Sequence, residues 1–178
     1  DSATTLNDVI LDMAGRSLTV TGIMQVGGDF TLTGVNSINT GTIAISGDLT
    51  ATDAGVGGTA SVTLNGTGTQ NINVTGDLPD GTFTVDKTSG TAVLLANFTT
   101  ALDGAGQDLT ITQGTLDLSS YSLTVPDVLT VAASGTLQLE GGGTRTTGTT
   151  SLRAGSHVIY NGSGSYTGLA VGNPYAHL

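Results

Sequence analysis

The sequence predicts an all-β chain, a right-handed parallel β-helix (β-solenoid), and three observations carry that expectation. Apolar and hydroxyl-bearing residues alternate with period two along most of the chain. A Gly-Asp-apolar motif recurs at Gly28-Asp29-Phe30, Gly47-Asp48-Leu49 and Gly76-Asp77-Leu78. A longer phrase is spelled twice. VILDMAGRSLTVTGIMQV (Val9 to Val26) reappears 105 positions later as GTLDLSSYSLTVPDVLTV (Gly114 to Val131), with seven identities.

The alternation marks each strand in turn. Ser17–Thr21, Phe30–Thr33, Thr42–Ser46, Ser61–Leu64, Asn71–Thr75, Thr82–Val85, Leu109–Thr112, Thr115–Leu118, Leu123–Val125 and Thr136–Leu139 each set an apolar face against a Thr, Ser or Asn face. Thr and Val are β-branched and suit a pleated strand. Gly, Asp, Asn and Ser punctuate the gaps, and Pro79, Pro126 and Pro174 all fall within them. Only Thr91 to Gly104 dissents, with apolar residues at 94, 95, 98, 101 and 102 in a helical spacing. Phe98, Thr99 and Thr100 resist a helix there, so a strand is preferred over a short helix capped by Thr91.

A coil of a solenoid takes about 20 residues, close to the step from Gly28 to Gly47. The phrase repeated at long range then implies a larger unit of several coils. The expected organisation is one solenoid over 1–178 with about 1.7 such units, the first about 9–105 and the second, truncated, about 114–178. Asn65-Gly66-Thr67-Gly68-Thr69 and Asn161-Gly162-Ser163-Gly164-Ser165 belong to the same scheme. Tandem immunoglobulin-like β-sandwiches are the competing fold, but they want a bulky aromatic core, and Trp is absent. Asp1 without a leader, and a second unit that stops at Leu178, suggest a processed piece of a longer array or an end rung covered by a partner.

Composition narrows function. Hydrophobic residues make up 37%, charged residues 10% and aromatics 4%, so the interior must be thin and aliphatic. The net charge is −10, and Arg16, Lys87, Arg145 and Arg153 are too few and scattered to displace counterions from phosphates. Nucleic acid is excluded as a partner, and anionic membrane surfaces are disfavoured. No apolar run reaches membrane-helix length. Without Cys there are no disulfides, thiolate metal sites or Cys nucleophiles.

Three segments, GTFTVDKTSGTAVL (81–94), QDLTITQGTLDLSSYSLTV (107–125) and HVIYNGSGSYTGLAVGNPYAHL (157–178), resemble repeats of bacterial secreted and surface β-helix proteins. Those are the filamentous-haemagglutinin-like and autotransporter-passenger-like adhesins. The resemblance implies an exported, elongated, non-enzymatic module at a bacterial cell surface, serving as stalk or adhesive segment. It carries over no functional residue.

Candidate chemistry is sparse, and no catalytic, cofactor-binding or metal residue is assigned. Asp77, Asp80 and Asp86 are the nearest carboxyls for glycoside hydrolysis, but they flank Pro79 and Gly81, where turn chemistry explains them. Lys87 beside Asp86 lacks the acidic calcium cluster a lyase would need. His157 and His177 have no nucleophile elbow near them. Calcium is the one cofactor left open: Asp103 to Ile111 (DGAGQDLTI) approximates a calcium-binding nonapeptide in a single copy. If Asp29 and Asp48 stack, they lie about 5 Å apart, at a cost of roughly 1 kcal/mol in water.

Thr-x-Thr pairs at 19/21, 31/33, 50/52, 82/84 and 110/112 raise ice binding, although their spacings fit no single coil period. Tyr160, Tyr166 and Tyr175 could form a glycan platform but are better explained by packing. The sequons at Asn65, Asn73, Asn97 and Asn161 are expected by chance in so Thr-rich a chain. The expected partners are neighbouring coils or other copies end to end, with surface glycans after them. The unpaired strand edges of a free stack would favour a self-assembling extracellular filament, the leading alternative to a stalk.

Overall fold

The structure, a computed structural model, describes residues 4–162. Twelve strands and no helix occur among them: β1 Val9–Thr19, β2 Ile23–Val26, β3 Phe30–Asn39, β4 Thr42–Ile45, β5 Leu49–Ala51, β6 Ser61–Leu64, β7 Gln70–Val74, β8 Phe83–Leu94, β9 Leu109–Asp117, β10 Leu123–Leu139, β11 Arg145–Leu152 and β12 His157–Tyr160. Every strand pairing among them is parallel. The chain is a β-solenoid of about seven turns. Sandwiches, built from antiparallel sheets, are thereby ruled out.

Three ladders run along the axis. Ladder A stacks 9–12, 30–33, 49–51, 72–74, 92–94, 115–117, 136–138 and 157–160. Ladder B joins 16–19 to 35–39 and, further along, 123–125 to 145–147, with single bridges at Ser37↔Gly57 and Phe98↔Leu123 between them. Ladder C stacks 23–26, 42–45, 61–64, 83–85, 109–111, 129–131 and 150–152. The long strands β1, β3, β8, β9 and β10 bend through corners and so serve more than one ladder.

Period-two alternation turns one set of side chains inward. In ladder C the inward rows are Val26, Ile45, Leu64, Val85, Ile111, Val131, Leu152 and Met24, Ile43, Val62, Phe83, Leu109, Leu129, Thr150. All the apolar members except Met24 and Leu152 are buried, and those two pack on the core from coils near the ends. Burying each such side chain contributes about 1.5–3 kcal/mol. Phe83 and Phe98 meet across the interior with ring centroids 5.2 Å apart.

These rows locate the repeated phrase. Val26 and Val131 lie in one row five coils apart, as do Met24 and Leu129. The first half of the phrase does not keep step. Val9 heads the row Phe30, Leu49, Ile72, Leu94. Val93 next to Leu94 pairs with Asp117, so that row passes to Leu118 and not to Gly114.

The segment 91–104 is strand up to Leu94 and then irregular, with Phe98, Ala101 and Leu102 buried. Leu95, part of the helical spacing, is 47% exposed, and the other members are turned inward by a strand end and corners, not by turns of a helix. Where coils approach most closely only Gly fits. Gly58, at φ +98°, would drive a Cβ into the Ile38 backbone of the preceding coil.

Candidate functional site

Side chains that could carry chemistry are mostly engaged at the corners. Where ladder C passes into ladder A, Asp8, Asp29, Asp48 and Asn71 stack. The Asp29 N–H donates to Asp8 Oδ1 (3.0 Å), the Asp48 N–H to Asp29 Oδ1 (2.8 Å) and the Asn71 N–H to Asp48 Oδ1 (2.8 Å). Asn71 Nδ2 donates to Asp48 Oδ2 (2.9 Å). Each carboxylate thus satisfies an amide at the corner of the next coil. Asp77, which shares the Gly-Asp motif, is not in this row. Asn71 holds the place, and Asp77 sits one corner later.

Three further devices fill wider corners. Gln70 is buried: Oε1 accepts from the Gly66 N–H (2.9 Å), while Nε2 donates to Ile45 O (3.0 Å) and Gly47 O of the coil below. Gln107 repeats the arrangement, taking the Gly104 N–H (3.0 Å) and donating to Pro79 O (2.9 Å) and Gly81 O (3.2 Å). Lys87 is 1% exposed, and its Nζ donates to Gly66 O and Gln70 Oε1, both at 2.6 Å. Burial pulls its pKa below the ordinary lysine value. These glutamines carry no signal in the sequence beyond their position in a Gly-rich turn.

The acidic group is the closest approach to a reactive centre. Asp77 is buried and takes the Leu78 N–H on Oδ1 (2.7 Å). Burial pushes its pKa from 3.8 to about 6, opposed by the Leu78 and Val56 amides and reinforced by the Asp103 and Asp80 charges. Asp80 is raised by burial and then by Asp103, against the Gly58 amide. Asp103 therefore joins Asp77 and Asp80, a neighbour hidden by its distance along the chain.

Asp86 does not join them and instead receives Gln113 Nε2 (2.9 Å). In the nonapeptide-like segment, Asp103 is exposed, Gln107 is a corner bond and Asp108 accepts the Val128 N–H (3.0 Å). No group of three His, Asp or Glu side chains suited to a metal ion exists among the described residues. His157 is exposed on β12. His177, Tyr166, Tyr175 and Ser163 to Ser165 lie outside the described residues.

The Thr-x-Thr pairs behave differently from their spacings. Coil length varies: Val26 to Ile45 is a short step, Phe83 to Leu109 a long one, and loops absorb the difference. Thr31 thus stands beside Thr50, and Thr84 beside Thr110. Thr63, Thr84, Thr110, Thr130 and Ser151 form one outward row on ladder C. Thr91, Thr115 and Thr136 form another on ladder A.

What the fold and its corners define is a class, a repetitive parallel β-solenoid whose polar residues mainly close corners. No protein family, curated protein or solved structure matches the chain.

Proposed function

We propose that the chain is a non-enzymatic extracellular structural module, a stalk or adhesive segment of a bacterial surface protein. One observation supports this above others. The parallel ladders continue through about seven turns along one axis, and the buried Asp, Gln and Lys side chains are bonded into the corners that hold those turns. Stacked coils separate two ends by about 4.8 Å per turn, which suits spacing and display. The resemblance to adhesin repeats and the acidic, Lys-poor composition agree with export.

The test is immunogold labelling of the source cells with antibody to the chain, alongside incubation of the purified chain with a polysaccharide panel. Label on the outer surface, with no new reducing ends or unsaturated products, is expected. Cytoplasmic label, or cleavage of any glycan, overturns the proposal.

The Thr63 to Ser151 row favours a second reading, a surface that binds an ordered partner such as crystalline glycan or ice. Its mostly β-branched hydroxyl side chains are held at ladder spacing with little rotamer freedom. Replacing Thr84 and Thr110 by Tyr abolishes binding if this reading is right and leaves it unchanged if not.

A further inference from the structure

One corner gathers carboxyls from successive coils without a cation among them. The chain leaves the ladders between β7 and β8 and again between β8 and β9. Residues 75–82 there lie between the coil carrying Asp53 to Gly58 and the coil carrying Thr100 to Gln107. The Asp77 N–H donates to Asp53 O (2.6 Å) and the Asp80 N–H to Gly58 O (2.7 Å). The Leu78 N–H is shared between Ala101 O of the next coil (3.2 Å) and Asp77 Oδ1 (2.7 Å). Thr100 Oγ1 donates to Gly76 O (3.1 Å), and Gln107 Nε2 to Pro79 O and Gly81 O. Within this seam Asp77 is 4% exposed. Asp80 stands between two glycines: its Oδ2 faces Gly57, and a Cβ on Gly104 would come within 2.7 Å of its Oδ1. Asp103 is exposed on the next coil.

The charged groups around Asp77 are all acidic. Asp103 on the next coil and Asp80 on its own segment both act to raise its pKa. On the preceding coil the Asp53 carboxylate accepts the Val35 N–H, and further along the axis Asp108 accepts the Val128 N–H and Asp127 lies beyond Gly106. No Lys, Arg or His among the described residues acts on Asp77 or Asp80. We infer that this corner is a pH-operated latch: it stays closed while Asp77 holds its proton and opens locally, with the ladders still paired, once Asp77 ionises beside Asp80 and Asp103. An ionised Asp77 also claims more of the Leu78 N–H, a bond to the next coil, because charged acceptors bond more strongly. The direction follows from burial. Closed, Asp77 has its pKa pushed up to about 6, and open, in water, it returns to the ordinary 3.8. The closed form is therefore favoured most below 3.8, and that advantage is lost as pH rises through about 6. About two pKa units make the open fraction larger by roughly a hundredfold. Opening breaks only the few bonds named above, because neither segment belongs to a ladder. This goes beyond the stalk proposed above, which stands with or without a latch.

Amide hydrogen exchange of the full chain between about pH 4 and 7.5, with rates corrected for their intrinsic pH dependence, tests the latch. Protection at Asp77, Leu78, Asp80 and Gly104 is expected to fall at least about tenfold over that range. At every pH these amides should be less protected than those of β4 and β6. Unlike them, they should be insensitive to low urea, since a local opening exposes little surface. In Asp77→Asn the fall with pH disappears while the corner stays the less protected region. Should that variant not fold, Asp80→Asn combined with Asp103→Asn, which leaves the buried position intact, is expected to give a smaller fall. Four results would each overturn the inference: corner protection that is constant with pH, a fall that survives Asp77→Asn, an undiminished fall in the double variant, or corner amides that share the protection and urea dependence of β4 and β6.

Discussion

The coils between 23 and 64 and those between 70 and 117 are both built from parallel strands on shared ladders but close their corners differently. The first set advances by equal short steps, Ile23 to Thr42 to Ser61 in one row. Its C-to-A corners are short, and the Asp row with Gly at the closest approaches completes them. The second set advances by longer and unequal steps, from Gln70 to Ala92 and from Asp86 to Gln113. Four of the five buried polar residues among those described, Gln70, Asp77, Lys87 and Gln107, lie in this stretch, as does the Phe83–Phe98 pair. Extra corner residues bring backbone amides and carbonyls inside, and each needs a partner. The wider coils therefore depend on a few specific polar side chains, whereas the narrow ones depend on repetition.

The strongest way to break this contrast is at Lys87. Lys87→Glu would bury a carboxylate against Gly66 O and Gln70 Oε1, two acceptors with no donor left, and is expected to cost more than about 4 kcal/mol. Lys87→Met keeps the volume and should fold, at a smaller cost. It also has a pH consequence. With a lowered folded pKa, the native lysine sheds its proton before the unfolded one does. Stability should therefore rise as pH climbs toward the unfolded value of about 10.4. Melting temperatures across that range should show the rise in the parent and not in Lys87→Met.

Core truncation comes next. Phe83→Ala removes the ring that meets Phe98 and leaves a hollow between wide coils, so a loss of about 4 kcal/mol is expected in denaturant titration. Ile43→Val, one coil below Val62 in the same row, should cost about 1 kcal/mol. A Phe83→Ala loss no larger than that of Ile43→Val would mean that the ring pair adds nothing to the wide coils.

Asp77 sharpens the contrast through pH. Its folded pKa, about 6, lies above its ordinary 3.8, so the native state holds the proton more tightly than the unfolded chain. The stability this confers is full below 3.8 and is lost as pH rises through about 6, a change on the order of 3 kcal/mol. Asp77→Asn retains an acceptor for the Leu78 N–H and should flatten the melting temperature between about pH 4 and 7. An unchanged slope in Asp77→Asn would assign the effect to other carboxyls.

Strands, inward faces and coil stacking are legible in the sequence because each follows from alternation, which registers directly as burial. The rung partners are not. Thr84 and Thr110 look unrelated at their spacing in the chain, and Asp77 looks equivalent to Asp48, because a looped-out corner changes spacing without changing the ladder. The Asp77–Asp80–Asp103 group stays hidden for the same reason, and nothing in the residues around Lys87 and Asp86 signals that Lys87 is buried. A sequence records how far apart two residues are along the chain, and a solenoid with unequal coils separates that distance from their height on the axis.

The smallest expected effect tests how the narrow coils use their Asp row. Asp8, Asp29 and Asp48 place like charges on successive rungs, about 4.8 Å apart, and each accepts the next amide. Those two contributions have opposite sign and can be separated. Asp29→Asn keeps an oxygen for the Asp48 N–H and removes one charge, so a gain of a few tenths of a kcal/mol is expected at low salt, fading as salt screens the row. Asp29→Ala removes the acceptor as well and should lose about 1 kcal/mol at any salt. Asn71 already occupies the next rung with an amide donating to Asp48, which shows that the row tolerates the neutral side chain. If Asp29→Asn instead loses as much as Asp29→Ala, the carboxylate charge itself holds the corner, and hydrogen-bond geometry alone does not explain the row.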